Sequence, residues 1–417
     1  MKGDSFEWAP DAPPPTLQDH SERKLALIRR YLRRYLEVLG GDRRRDRMRL
    51  TLIDGFAGGG LFTRHGKVVP GTPLIMMEEI ERAARVLNDG RHKPLDIEAS
   101  YVFVEKRRDT FEHLKQTLAI RGLANGLGPC GALIRGTFEA ELDGIIERAK
   151  MQHRTGRSIF LLDQTGYNQA SLHQVRRILT ELPTSEVILT FAADWLLDYV
   201  ADAPSFLKAV EPVGLTRNDV DRLLALKGAA GGRVLMQQVL LDLITERIGA
   251  TFTTPFFVHG DDAHRAIWII HLSAHPKARD VMLEQHWALG NGVLHQGPGS
   301  LRMLGHKTDL DQLAMFDFGF DPFAENKLHS SLFEEVPEAL WEDGAADGLQ
   351  LGTWLAGRVN RTAATKRQLG DVLWALAGER EVEILTAGGR PKRRGSRLRE
   401  TDVIRTPRQR SAFSFAR

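Results

Sequence analysis

At 417 residues, with 42% hydrophobic and 27% charged residues, the chain has a globular composition and length for two to three domains of about 100–200 residues each. No apolar run approaches the roughly 18 residues of a membrane span, no apolar signal segment opens the chain, and the single cysteine, Cys130, excludes an internal disulfide and a cysteine-rich zinc site, so a cytoplasmic protein is expected. Net charge is only +3, yet residues 23–49 carry eleven Lys/Arg against three acids and residues 390–417 carry ten against two, which predicts a polyanionic partner, nucleic acid first.

Residues 1–20 are rich in proline and acids and read as a mobile arm. Beyond Ser21, the residues Leu25, Ile28, Leu32, Leu36 and Leu39 recur at helical spacing until Gly40-Gly41. Leu50-Thr-Leu-Ile-Asp54 is then a short apolar strand that runs into Gly55-Phe-Ala-Gly-Gly-Gly60. From there helices and strands alternate: a helix over 74–87, a strand over 100–105, and a helix through Phe111, Leu114 and Leu118. A strand over 131–136, a helix over 138–149, a strand over 158–163, a helix over 171–182 and a strand over 186–191 follow. Such alternation predicts an α/β fold with a Rossmann-like, doubly wound, mostly parallel sheet and ligands at the carboxyl ends of its strands.

Residues 219–249 read as helical, within an extension at about 205–250, and a further strand is expected near 267–273, so that the α/β domain spans 21–290. Residues 291–345 read as an irregular connection. Helices over 349–359 and 365–377, a strand over 382–385, a basic stretch and a strand over 401–404 outline a winged-helix-like module in 346–417. In its wing, Arg390, Lys392, Arg393, Arg394 and Arg397 would meet phosphates, which brings affinity without sequence information.

The glycine segment carries the chemistry. Asp54-x-Phe56-x-Gly58-x-Gly60 is not the dinucleotide fingerprint, because Thr63 stands where a third glycine would fall. An acid at the strand tip suits a ligand with a cationic amino-acid end, as in S-adenosylmethionine. Asp54, Glu105 and Asp163 each close an apolar strand, and Glu105 can accept from two ribose hydroxyls. Phe138 reads as a core aromatic, Pro129-Cys130 as a coincidental dipeptide, and His271 and His275 as strand-end histidines; no metal site is expected.

Taken together, Asp54 to Gly60, Gly71-Thr-Pro-Leu74, Val102-Phe-Val-Glu105, Leu161-Leu-Asp163 and the upstream helix with Lys24 and Tyr31 resemble the three-Cys-motif partner proteins. The resemblance covers roughly residues 20–290. It implies a class I methyltransferase-like fold, a prokaryotic mobile-element or defence setting, and a neighbouring protein with a three-cysteine motif as partner. The glycine segment is also similar to motif I of DNA and RNA methyltransferases. By that likeness Asp54, Phe56, Gly58 and Gly60 hold the methionine part of S-adenosylmethionine, Glu105 holds its ribose, and Asp163 and Tyr167 handle an extruded base of nucleic acid, DNA first. One departure stands out: Asp163-Gln-Thr-Gly-Tyr167 replaces the Asp-Pro-Pro-Tyr of amino-methyltransferases, so no proline presets the loop. A second reading is therefore implied, in which the fold is a catalytically silent docking module that brings the three-Cys-motif protein to DNA.

Overall fold

The computed structural model describes residues 7–8, 12–164, 166, 169–229, 232–259, 266–289, 294–296, 301, 317–319 and 322–407. The chain divides into two compact units, residues 1–293 and 294–417.

In the first unit, helix α1 (Asp19–Gly40) turns one stripe inward through Leu27, Ile28, Tyr31, Leu32, Tyr35 and Leu36. Strand β1 (Arg47–Asp54) leads through the glycine turn into a hairpin, β2 (Leu61–Arg64) and β3 (Lys67–Pro70), and then helix α2 (Thr72–Asn88). The alternation continues with β4 (Asp96–Glu105), α3 (Arg108–Ile120), β5 (Ala132–Arg135), α4 (Phe138–Gln152), β6 (Ser158–Leu162), α5 (Leu172–Glu181) and β7 (Ser185–Phe191). Four helices follow: α6 (Ala193–Asp198), α7 (Pro204–Val210), α8 (Arg217–Leu226) and α9 (Gly232–Ile248). Strands β8 (Phe252–His259) and β9 (Ala266–Ser273) and helix α10 (Pro276–Leu289) complete the unit.

The central sheet of this unit runs β5-β4-β1-β6-β7-β9-β8. Strands β5, β4, β1, β6 and β7 are parallel neighbours, whereas β9 lies antiparallel to both β7 and β8. Counted in chain order the seven strands stand 3-2-1-4-5-7-6, so the first five keep the doubly wound order and the fold is Rossmann-like α/β. Both β6 and β7 are buried at every position, as strands with helices on both faces must be. Strand β8 escapes a sequence pattern because Pro255 lies inside it.

Residues 12–18, read from the sequence as part of a mobile arm, are held to the hairpin. Leu17 N donates to Thr63 O at 2.8 Å and Thr63 N donates to Pro15 O at 2.9 Å, while the Thr63 hydroxyl donates to Pro14 O at 2.9 Å.

The second unit opens with an antiparallel pair, β10 (Leu294–Gln296) and β11 (Asp317–Gly319). It continues with α11 (Pro322–Glu342), β12 (Leu349–Gln350), α12 (Leu351–Arg358), α13 (Lys366–Gly378), β13 (Glu383–Leu385) and β14 (Val403–Arg405). The last three strands form an antiparallel sheet in the order β12-β14-β13. Helix α11 corrects the expectation of an irregular connection over 291–345: Leu328, Leu332, Val336 and Leu340, four apart, are all buried. Pro337 lies inside this helix, where the buried stripe outweighs its lost hydrogen bond. Helix α13 begins with a capping box, in which the Thr365 hydroxyl accepts from Gln368 N and the Gln368 side chain accepts from Thr365 N. Among the described residues no helix is long and apolar enough to cross a membrane.

Candidate functional site

Strand register brings the three acids together. Asp54, the last residue of β1, pairs with Phe103 on β4 and Leu161 on β6. Glu105 and Asp163 each lie two residues beyond those partners, so they flank Asp54 from the two neighbouring strands, at the carboxyl edge where ligands of open α/β sheets sit.

Asp54 is fully buried. Its Oδ1 accepts from Phe56 N at 3.0 Å, and its Oδ2 accepts from the Thr72 hydroxyl. Burial is the main cause that pushes its carboxyl from an ordinary 3.8 up to about 7; the two hydrogen bonds oppose this, and the charges of Asp163 and Glu105 add to it. A cation at this point would relieve both the burial and the crowding of negative charge.

The turn between Asp54 and β2 is shaped by its glycines and by four side chains around it. Gly58 and Gly60 have φ of +62° and +83°, a region that favours glycine. Glu105 holds the turn from one side: its Oε2 accepts from Gly58 N at 3.1 Å and its Oε1 from Arg107 N at 2.7 Å. Each oxygen keeps an acceptor site for a further donor. His113 on α3 donates from Nδ1 to Gly59 O at 2.7 Å. Thr72, at the start of α2, is brought in by Gly71 N, which donates to Gly60 O at 2.8 Å. Trp8 covers the turn: a Cβ on Gly59 would come within 2.6 Å of its Nε1, and one on Gly58 within 3.1 Å of the ring. The indole N–H donates to Leu61 O at 2.7 Å, and the ring meets Phe62 edge-on at 5.2 Å between centroids. Part of the glycine requirement thus comes from the chain's own tryptophan. Phe56 stands 6.0 Å from Phe138, which is buried against Gly55 in the core.

Asp163 is partly exposed and forms an ion pair with Lys24 of α1, whose side chain is only 14% exposed. Lys24 thereby brings a cation to this edge. The loop behind Asp163 is held by Gln164, a buried side chain whose Oε1 accepts from Gln169 N at 2.8 Å and Ala170 N at 2.9 Å. Two backbone donors fix which end of the amide is oxygen, and Nε2 is buried with no partner among the described residues. Gln164 therefore closes the loop in the place where prolines were missed. Tyr167 lies outside the described residues.

Sequence reasoning singled out Asp54, Phe56, Gly58, Gly60, Glu105 and Asp163, and the fold draws them to one edge. It missed Thr72, His113, Trp8 and Gln164. The segment Gly71-Thr-Pro73 held a signal for Thr72, since a threonine just before a helix-opening proline is placed to offer its hydroxyl. Nothing local marks Trp8 or His113, which act across 50 and more residues.

Two basic features change on folding. Along α1 the cations are largely taken up: Arg29 pairs with Glu78 and Glu79, Arg33 with Glu79, Arg34 with Glu284, and Lys24 with Asp163. In the second unit Arg390, Arg393, Arg394 and Arg397 are exposed, whereas the Lys392 side chain is only 9% exposed. Its ammonium lies 2.8 Å from Asp402, so it braces the hairpin from within.

Away from this edge, the Tyr31 hydroxyl donates to Glu186 and lies 3.1 Å from His271 Nε2, which is 3.0 Å from Glu186. His271 is thus a core histidine, and burial together with Glu186 holds the Tyr31 hydroxyl well above its ordinary pKa. Among the described residues no three His, Cys, Asp or Glu side chains are grouped as metal ligands would be. No protein-family model matches the chain, and no curated protein matches it.

Proposed function

We propose that the chain binds S-adenosylmethionine at the glycine turn and transfers its methyl group to nucleic acid. The observation that carries this reading is the convergence of Asp54, Glu105 and Asp163 on adjacent strand tips around Gly58–Gly60. The likeness to three-Cys-motif partner proteins rests on the motifs alone. Strand order 3-2-1-4-5-7-6 with a reversed seventh strand agrees with a class I methyltransferase-like sheet.

The residues fit the cofactor. Asp54 is buried, has no cationic partner among the described residues and is crowded by two further acids, which suits the sulfonium and ammonium of the methionine part. Glu105 keeps acceptor sites for ribose hydroxyls beyond its two backbone donors. When bound, the cofactor supplies a methyl group on an already reactive sulfonium. The protein's part is then mostly positioning: Thr72 and Phe56 N fix the Asp54 carboxylate, and Gln164 fixes the loop that carries Asp163. A target amine would donate to Asp163, and to do so it must share or displace Lys24. In the second unit, the helix-strand-helix-helix-strand-strand order with the sheet β12-β14-β13 supports a winged-helix reading, and its exposed arginines would hold the polymer.

Two observations favour a second reading, in which the unit is a catalytically silent module that docks a three-Cys-motif protein and brings it to DNA. Trp8 covers the glycine turn, and Lys24 occupies Asp163. Incubation with methyl-labelled S-adenosylmethionine and a mixture of DNA and RNA separates the two. Label incorporated by wild type and lost in Asp163→Asn supports transfer, whereas cofactor binding with no incorporation in any nucleic acid supports docking.

A further inference from the structure

We infer that the second unit grips the sugar–phosphate backbone of nucleic acid with the hairpin 386–402, and that helix α13 does not read bases. The inference rests on the nucleic-acid reading above and narrows it to one surface and one mode of contact.

The hairpin is built to present charge. Arg390, Arg393, Arg394, Arg397 and Arg399 are all exposed. Three acids near them are already engaged: Asp402 with Lys392 at 2.8 Å, Glu400 with Lys366 at 2.9 Å, and Glu383 with Arg405. None of the five arginines forms an ion pair among the described residues. Five exposed cations within ten positions, without ion pairs among the described residues, form a surface complementary to a polyanion.

The arginines are also held in place. Thr386 N donates to Arg390 O at 2.8 Å and Lys392 N to Ile384 O at 2.9 Å, which continues the hairpin beyond β13. The Trp374 indole N–H on α13 donates to Ser396 O at 3.1 Å, and the Ser396 hydroxyl donates to Arg393 O at 2.7 Å. Arg394 packs over Gly378, where a Cβ would come within 2.7 Å of a guanidinium nitrogen. The buried Lys392–Asp402 pair locks the base of the loop, with side chains 9% and 3% exposed. A surface ordered before binding loses less freedom when it meets its ligand.

Helix α13 offers the opposite picture. Its two cations both have acidic neighbours: Lys366 pairs with Glu400 at 2.9 Å, and the exposed Arg367 lies 3.5 Å from Asp371 and 3.8 Å from Glu325. Reading a base edge needs free donors and acceptors in a groove, with arginine on guanine the commonest such contact. Every arginine and lysine of the helix has an acid beside it that competes for that contact. Charge without free base-reading groups gives affinity that is blind to sequence and steeply salt-dependent.

Fluorescence anisotropy of the full chain with two unrelated duplex DNAs, with single-stranded DNA and with duplex RNA tests this. Wild type should bind the two duplexes with equal affinity, and removing Arg393, Arg394 and Arg397 together as alanines should weaken binding by at least ~10-fold and lower the slope of log affinity against log salt by about three. The corresponding lysine triple variant should keep most of the binding, because a phosphate accepts any point charge. Lys366→Ala with Arg367→Ala should change affinity by no more than about twofold. The single-stranded and RNA arms say which backbone is preferred. Loss of binding in the α13 variant equal to that in the hairpin variant would overturn the inference, as would a clear preference between the two duplex sequences. So would an absence of nucleic-acid binding, or equal binding to polyglutamate, which would mark an acidic-protein surface. Cofactor binding, measured separately on the same protein, keeps the outcomes distinct: nucleic-acid binding without it sinks methyl transfer alone, and the converse sinks this inference alone.

Discussion

Asp54 makes the stability of the first unit depend on pH in an unusual direction. Its carboxyl, ordinarily near 3.8, is held at about 7, chiefly by burial. As pH rises above 3.8 the unfolded chain ionises while the folded one keeps its proton up to about 7, so the folded state binds more protons and loses stability across that window. At about 1.36 kcal/mol for each pH unit, the full loss is ~4 kcal/mol, of which about 2–3 kcal/mol falls between ~pH 5 and ~pH 8. Asp54→Asn removes the titration and leaves an acceptor for Phe56 N, while the Thr72 hydroxyl can turn to accept from the new amide. Urea unfolding of both proteins at the two pH values, followed through hydrogen exchange in β1, reads the difference. Wild type should fall relative to Asp54→Asn by that amount as pH rises, and a cation bound beside Asp54 should shrink the fall. Parallel pH profiles for the two proteins would refute the idea that a buried, crowded carboxyl lies at this strand tip.

Other expectations follow from single contacts. Gly59→Ala must drive its Cβ into Trp8 and should cost about 1–3 kcal/mol in urea unfolding. Most of that cost should vanish in a Trp8→Ala background, and if it does not, the indole does not cover the turn. Gln164→Ala frees two backbone donors and should cost about 1–3 kcal/mol locally, seen as faster hydrogen exchange at the amides of Gln169 and Ala170. Unchanged exchange there would mean that the loop is held by something else. Asp402→Ala leaves the Lys392 ammonium buried alone and should destabilise the second unit by about 3–5 kcal/mol. Replacing both partners with apolar residues should recover most of that, and a loss as large as in the single variant would contradict a buried pair.

The sheet was legible because its strands are short apolar runs with an acid or a glycine at the end, a pattern set by burial on both faces. Asp54, Glu105 and Asp163 could be placed at one edge for the same reason: parallel strands put their carboxyl ends together. What could not be read depended on distant partners. Lys24 was visible as part of a basic helix, but its pairing with Asp163 joins residues 139 apart. Helix α11 holds Pro337 and strand β8 holds Pro255, each a local breaking signal that packing overrides. Lys392 was grouped with its arginine neighbours because charge density says nothing about direction, and only the approach of Asp402 across the hairpin separates it from them.

The central claim is that the glycine turn, with the acids around it, is a cofactor site. Calorimetric titration with S-adenosylmethionine tests it most directly, with wild type beside Asp54→Asn and Glu105→Ala. Micromolar binding by wild type, lost or greatly weakened in both variants, is the predicted result. A folded wild type that takes up no cofactor would contradict the account.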